Sequence, residues 1–109
     1  MKNKIDTELL SWEGGKIEGF SRKELLSLRN GGVKLVRIKP SSFYPEHIHS
    51  DKTEYAFVLE GNPEFIIENE TYSGKPNSFF IFPAGMKHTI NNNHNEVCVL
   101  LIGSIRLSN

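Results

Sequence analysis

The stretch His47-Ile48-His49-Ser50-Asp51-Lys52-Thr53-Glu54-Tyr55-Ala56-Phe57-Val58-Leu59-Glu60-Gly61 decides how this chain is read. From Thr53 to Leu59 it is rich in β-branched and aromatic residues, and it then meets Glu60-Gly61-Asn62-Pro63, the chemistry of a strand ending in a sharp reversal. Within that strand Glu54, Ala56 and Val58 share one face, and Tyr55 and Phe57 share the other. Ahead of it stand two histidines at positions i and i+2, which an extended backbone points to the same side. Ser50 to Thr53 contains turn-forming residues, so the chain is expected to reverse there and to bring Glu54 onto a neighbouring strand, across from His47 and His49.

The same grammar extends outward. Lys34 to Lys39, Thr53 to Leu59, Glu64 to Ile67, Ser78 to Phe82, His88 to Ile90 and Val97 to Arg106 read as strands, divided by Gly, Pro, Ser and Asn clusters. Ser21 to Leu28 offers a capping box in Ser21 and Glu24, but Asn30-Gly31-Gly32 joins it to the next strand as a hairpin would, and a strand is expected. Residues 1–20 read as an N-terminal arm or edge strand with Trp12 as a packing anchor, and residues 21–109 as one all-β barrel domain. No long helical period and no repeat is present.

A second motif, Pro83-Ala84-Gly85-Met86-Lys87-His88 with Asn92 four positions on, supplies a third imidazole after a corner at which Gly85 tolerates positive φ. Three imidazole nitrogens and one carboxylate form a ligand set for a divalent transition metal. His94, alone in an asparagine-rich loop, reads as a hydrogen-bonded structural histidine or a solvated one rather than a ligand.

These two motifs resemble the two signature motifs of the cupin superfamily, small antiparallel jelly-roll β-barrels. The likeness spans roughly residues 41–92. It implies that His47, His49, Glu54 and His88 are the metal ligands, with Gly61, Pro83, Gly85 and Asn92 in structural positions. The chain departs from the pattern twice. Ser41 and Asn77 stand where the family usually has glycine; Asn77 is easily absorbed in a left-handed turn, whereas Ser41 implies a turn of different shape.

Three neutral imidazoles and one carboxylate leave a divalent site with a net charge of about plus one. Four protein ligands close a zinc tetrahedron but leave two positions free on an octahedral ion, so iron, manganese, nickel and cobalt rank above zinc. Such a centre suits a small polar substrate that chelates through oxygen, with Lewis-acid polarisation or activated water as the catalytic lever. The reading is a metalloenzyme of oxygenase (dioxygenase-like), isomerase or epimerase, or lyase type. The alternative is a non-catalytic module that binds or senses a metal or small ligand. Glu54 is a possible base, although a plain ligand role is preferred. Phe43, which shares parity with His47, together with Ala56, Val58 and Arg37, are the candidate pocket residues; for Arg37 a solvated surface position is preferred.

Thirteen basic and thirteen acidic residues cancel, with no Lys/Arg stripe, which argues against nucleic acid and anionic membranes as partners. The first residues lack the apolar stretch of a secretory signal, and the longest apolar run has six residues, Val97 to Ile102, so a soluble cytoplasmic protein is expected. The single cysteine, Cys98, fits a reducing compartment as a buried, inert thiol. Near-zero net charge and exposed apolar strands favour a homodimer, and Phe79 to Phe82 read as core or dimer packing.

Overall fold

Alternation of apolar and polar side chains drives two sheets together across the barrel interior. The computed structural model describes residues 2–107; Met1 and the last two residues of the expected barrel domain, 108 and 109, lie outside the described residues. A single 3-10 turn, Thr7–Leu9, precedes ten strands: β1 Glu13–Gly14, β2 Phe20–Leu28, β3 Gly31–Ile38, β4 Ser42–His47, β5 Lys52–Glu60, β6 Glu64–Ile67, β7 Glu70–Ser73, β8 Phe79–Phe82, β9 His88–Asn92 and β10 Cys98–Arg106. They form a six-stranded sheet in the order β1-β2-β3-β10-β5-β8 and a four-stranded sheet in the order β4-β9-β6-β7. Each pairing is antiparallel, and the fold is an all-β jelly roll. No helix among the described residues is long and apolar enough to cross a membrane.

The core lies between the sheets. Val36 and Ile38 on β3, Ala56 and Val58 on β5, and Cys98, Leu100 and Ile102 on β10 face Phe65 on β6 and Ile90 on β9. Fully burying a side chain of this size stabilises the fold by about 1.5–3 kcal/mol. Phe65 also stacks on Phe80, with ring centroids 4.1 Å apart, and meets Phe82 at 5.7 Å, which closes the side beneath β8.

Ser21 to Leu28 is a strand, as the hairpin reading expects, and Arg29 and Asn30 make the connection between β2 and β3. Two strands were not anticipated. β4 contains Pro45, which a strand at the sheet edge accommodates because no neighbour needs its missing N–H. β7 is short and wholly exposed, so its sequence lacks apolar alternation. In the arm, Glu13 and Gly14 pair with Arg22 and Ser21 at the sheet edge. Trp12 lies against Lys23 and Arg37, whose cationic groups sit 4.6 and 4.7 Å from the ring centroid. Ser41, at φ 57°, and Asn77, at φ 80°, both adopt the left-handed backbone. Ser41 thus holds a backbone conformation that glycine takes freely.

Candidate metal centre

β4 and β9 place the first two imidazoles side by side. Tyr44 pairs with Ile90 and His47 with His88, so three steps along β4 oppose two along β9. The additional residue, at Pro45-Glu46, is a β-bulge that turns His47 inward on the face of Tyr44. His49 lies beyond the end of β4, in the link to β5, where its carbonyl accepts a 2.7 Å hydrogen bond from the Gly85 N–H. Glu54 does not arrive on a neighbouring strand of the same sheet, contrary to expectation. Its strand, β5, belongs to the six-stranded sheet, paired to β10 and β8, and the carboxylate reaches across the barrel to the histidines.

The four side chains converge. Ring centroids lie 4.1 Å apart for His47 and His88, 5.1 Å for His47 and His49, and 5.9 Å for His49 and His88. Glu54 Oε1 is 3.4 Å from His49 Nε2 and 3.5 Å from His88 Nε2. One donor atom from each residue lies within 4.8 Å of the others. Donors sharing a centre at about 2.1 Å stand about 3 Å apart when adjacent and about 4.2 Å when opposite, so small shifts suffice to close the set around one ion.

The surroundings prepare these groups to ligate. His47 Nδ1 lies 3.0 Å from the Pro45 carbonyl and His88 Nδ1 3.2 Å from that of Met86. With its proton on Nδ1, each ring would donate to a carbonyl two residues back and turn an Nε2 lone pair to the centre, the tautomer that a bound cation requires. Burial holds His47 and His49 below the usual 6.5, an effect the Pro45 carbonyl opposes at His47 and the Glu54 charge at His49. For Glu54, burial pushes upward, but the His88 hydrogen bond and the Lys52 charge outweigh it, and the carboxyl sits below 4.5. Those shifts favour neutral rings at His47 and His49 and an ionised Glu54, the forms that bind a cation. Phe82 stacks on His88 at 4.5 Å and fixes its ring plane.

The donors open into a cavity of about 210 Å³. Phe20, Tyr44, Ile90 and Ile102 supply apolar walls; Lys16, Arg22, Lys34 and Lys52 supply cations. The expected pocket residues are placed elsewhere. Phe43 is 54% exposed on the outer face, because the bulge exchanges its parity with that of Tyr44. Arg37 stacks on Trp12 outside the barrel. Ala56 and Val58 share the inner face with Glu54 but are sealed in the core, away from the cavity lining. His94 sits in the exposed loop after β9, outside the cluster. Sequence reasoning missed Lys34, Arg22, Tyr44 and the arm residues Lys16 and Ile17. The parity of Lys34 with Val36 and Ile38 was a usable signal for the first, whereas the arm is placed by tertiary packing.

Residues 34–103 match the family model described as the cupin domain. Germin-like protein subfamily 2 member 4 of Arabidopsis thaliana is 34% identical over 87 residues, covering 73% of this chain and 40% of that protein. The rhicadhesin receptor of Pisum sativum is 31% identical over 97 residues, covering 83% and 45% respectively. The chain spans less than half the length of these two relatives. Among solved structures, a predicted oxalate decarboxylase from Thermotoga maritima shares the fold with a TM-score of 0.88 at 19% identity, over 95% of this chain and 99% of that one.

Proposed function

The chain belongs to the cupin family, and from that premise we propose that it is a divalent-metal-dependent enzyme acting on a small polar molecule that chelates through oxygen. One observation carries the reading: four donors, His47, His49, Glu54 and His88, within 4.8 Å of one another. The three imidazoles and the carboxylate would hold the ion, with iron, manganese, nickel or cobalt favoured over zinc by the room left for substrate oxygens. Bound there, the metal supplies Lewis-acid polarisation of a coordinated oxygen. Phe20, Tyr44 and Ile102 line the approach and limit water around the donors. Lys52, with its Nζ 3.8 Å from Glu54 Oε2, holds that carboxylate ionised and in place.

Oxygenase, isomerase or epimerase, and lyase chemistry all suit these groups; the predicted oxalate decarboxylase among the structural relatives keeps the lyase class prominent. A second reading, a binding or sensing module, is favoured by one feature. Among the described residues Glu54 is the single carboxylate lining the metal cavity, and as a metal ligand it leaves no separate carboxylate base there. Pairing with a second copy is supported by Phe79 and Ile81, both 54% exposed on the outer face of β8.

Elemental analysis of protein purified without added metal tests the centre, with about one divalent transition ion per chain expected. Oxygen uptake and product analysis with glycolate, catechol and an aldose, under loading with each metal, then divide the reactions. Turnover of none of them with any metal moves the protein to the binding reading.

A further inference from the structure

The inner face of β3 carries an exception to its own pattern. Val36 and Ile38 are buried against the core, and Lys34, two positions before Val36, points to the same side. Its register partner on β10 is Ile102, whose other partner is Ala56, so a lysine stands in an apolar row of the barrel interior. Among the described residues no ion pair or hydrogen bond engages the Lys34 ammonium. Its partner across β2, Glu24, is already committed to Arg22, at 3.2 Å. A half-buried cation without an ion pair of its own is a place for an anion.

The neighbouring space fits that role. A second cavity, of about 190 Å³, adjoins the metal cavity, and Lys34, Lys52, Glu54 and Ile102 line both. Ser27, Ser104 and Arg106 also line the second chamber, as does Glu24, whose carboxylate Arg22 holds at 3.2 Å, and Gly31 and Gly32 add no side chains to it. Strands about 4.8 Å apart set Lys34 about 10 Å across the sheet from Ala56, which neighbours Glu54 on the same face. That span exceeds a two-carbon chelator and suits a chain of several carbons. In the metal chamber four cationic side chains face one carboxylate, although the whole protein is neutral. A cleft of one sign focuses oppositely charged ligands.

We propose that Lys34 is a specificity-determining residue that binds a second anionic group of the substrate, a carboxylate or a phosphate, while the substrate's oxygen-chelating head sits at His47, His49, Glu54 and His88. The proposal rests on the metal-centre reading and narrows its substrate class to hydroxy acids bearing a distal oxyanion.

Three probes with one chelating head separate the parts: glycerate has no second anion, malate adds a carboxylate, and 3-phosphoglycerate adds a phosphate. On Mn²⁺-loaded protein, calorimetric titration is expected to show malate or 3-phosphoglycerate binding more tightly than glycerate, and the tighter of the two identifies the anion. Lys34→Met should weaken that probe at least about tenfold more than it weakens glycerate, with Lys34→Arg recovering most of the loss. Equal losses for all three probes, or no preference in the unaltered protein, would overturn the assignment. Inorganic phosphate titrated into metal-free protein reads the subsite alone, through saturable amide shifts at Gly32, Ile102 and Ser104 that Lys34→Met should abolish. Failure to bind Mn²⁺ sinks the metal reading by itself; phosphate shifts that are absent, or that persist in Lys34→Met, sink the role of Lys34.

Discussion

Along β5 the inward positions run Lys52, Glu54, Ala56, Val58; along β9 they run His88, Ile90, Asn92; along β3 they run Lys34, Val36, Ile38. The same strands, by the same alternation, thus build a sealed apolar end and a polar end of one interior. Both ends contain buried polar groups, and their treatment differs. At the sealed end the Asn92 amide donates to the carbonyls of Ile38, Lys39 and Glu96 at 2.8–3.2 Å, and its oxygen accepts from the His94 N–H at 3.1 Å. At the other end one ligand atom from each of His47, His49, His88 and Glu54 lies within 4.8 Å of the rest, and among the described residues Lys34 makes no ion pair. A polar group already answered by protein is structural; polar groups clustered without sufficient protein partners mark the place a ligand completes.

That contrast predicts separable losses. Leu100→Ala removes a fully buried side chain at the sealed end and should cost about 3 kcal/mol of unfolding free energy, with Mn²⁺ affinity per folded molecule retained. Denaturant unfolding beside metal titration checks it, and a parallel fall in affinity would mean that the two ends are not independent. His47→Ala should do the reverse: affinity for Mn²⁺ drops by about 100-fold or more, while the metal-free protein loses far less stability than Leu100→Ala does. His94→Ala, outside the cluster, should leave the affinity unchanged. Equal effects at 47 and 94 would dissolve the site.

How much of this division was legible beforehand follows from where each signal resides. His47, His49, Glu54 and His88 were readable because their spacing is written in the chain and side-chain alternation converts spacing into direction. Phe43 was misplaced because one additional residue in β4 reverses parity, and only pairing with β9 reveals a bulge. Pro45 marked the trouble without giving its sign. Lys34 was passed over although it shares parity with Val36 and Ile38: a lysine argued against an inward face, and the register with β10, Val36 opposite Leu100 and Lys34 opposite Ile102, settles that it lies there. The opposite-sheet origin of Glu54 was hidden for the same reason: a four-residue link predicts proximity but not which sheet the next strand joins.

Titration should act on the polar end before the sealed one. In metal-free protein the folded state holds His47 and His49 below 6.5, so between that value and their folded pKa values the unfolded chain binds more protons. Stability contributed by the neutral rings is present above 6.5 and is lost as pH falls through the folded values. Glu54, held below 4.5, adds a further loss as pH falls beneath that point. Unfolding measured from pH 7.5 to 4 should therefore decline first through the histidines, and the upper part of the decline should flatten in a His47→Asn, His49→Asn double variant. An unchanged profile in that variant would place the titrating groups elsewhere. Bound metal should leave over the same range, because protons compete for its ligands.

The smallest expected effect concerns strain. Ser41 and Asn77 occupy left-handed backbone, and both belong to the sealed end: Ser41 precedes Ser42, which pairs with Asn92, and the Asn77 N–H donates to the Val58 carbonyl. A left-handed conformation costs an ordinary L-residue about 1–2 kcal/mol, and glycine avoids this but loses about 0.5–1 kcal/mol more chain entropy on folding. Ser41→Gly should therefore raise stability by roughly 0.5–1 kcal/mol, and Asn77→Gly by less, since asparagine already tolerates this region. Neither should alter metal affinity, because no donor moves. If Ser41→Gly changed Mn²⁺ binding, the strained turn would be helping to position β4 and His47, and the sealed end would be shaping the polar one.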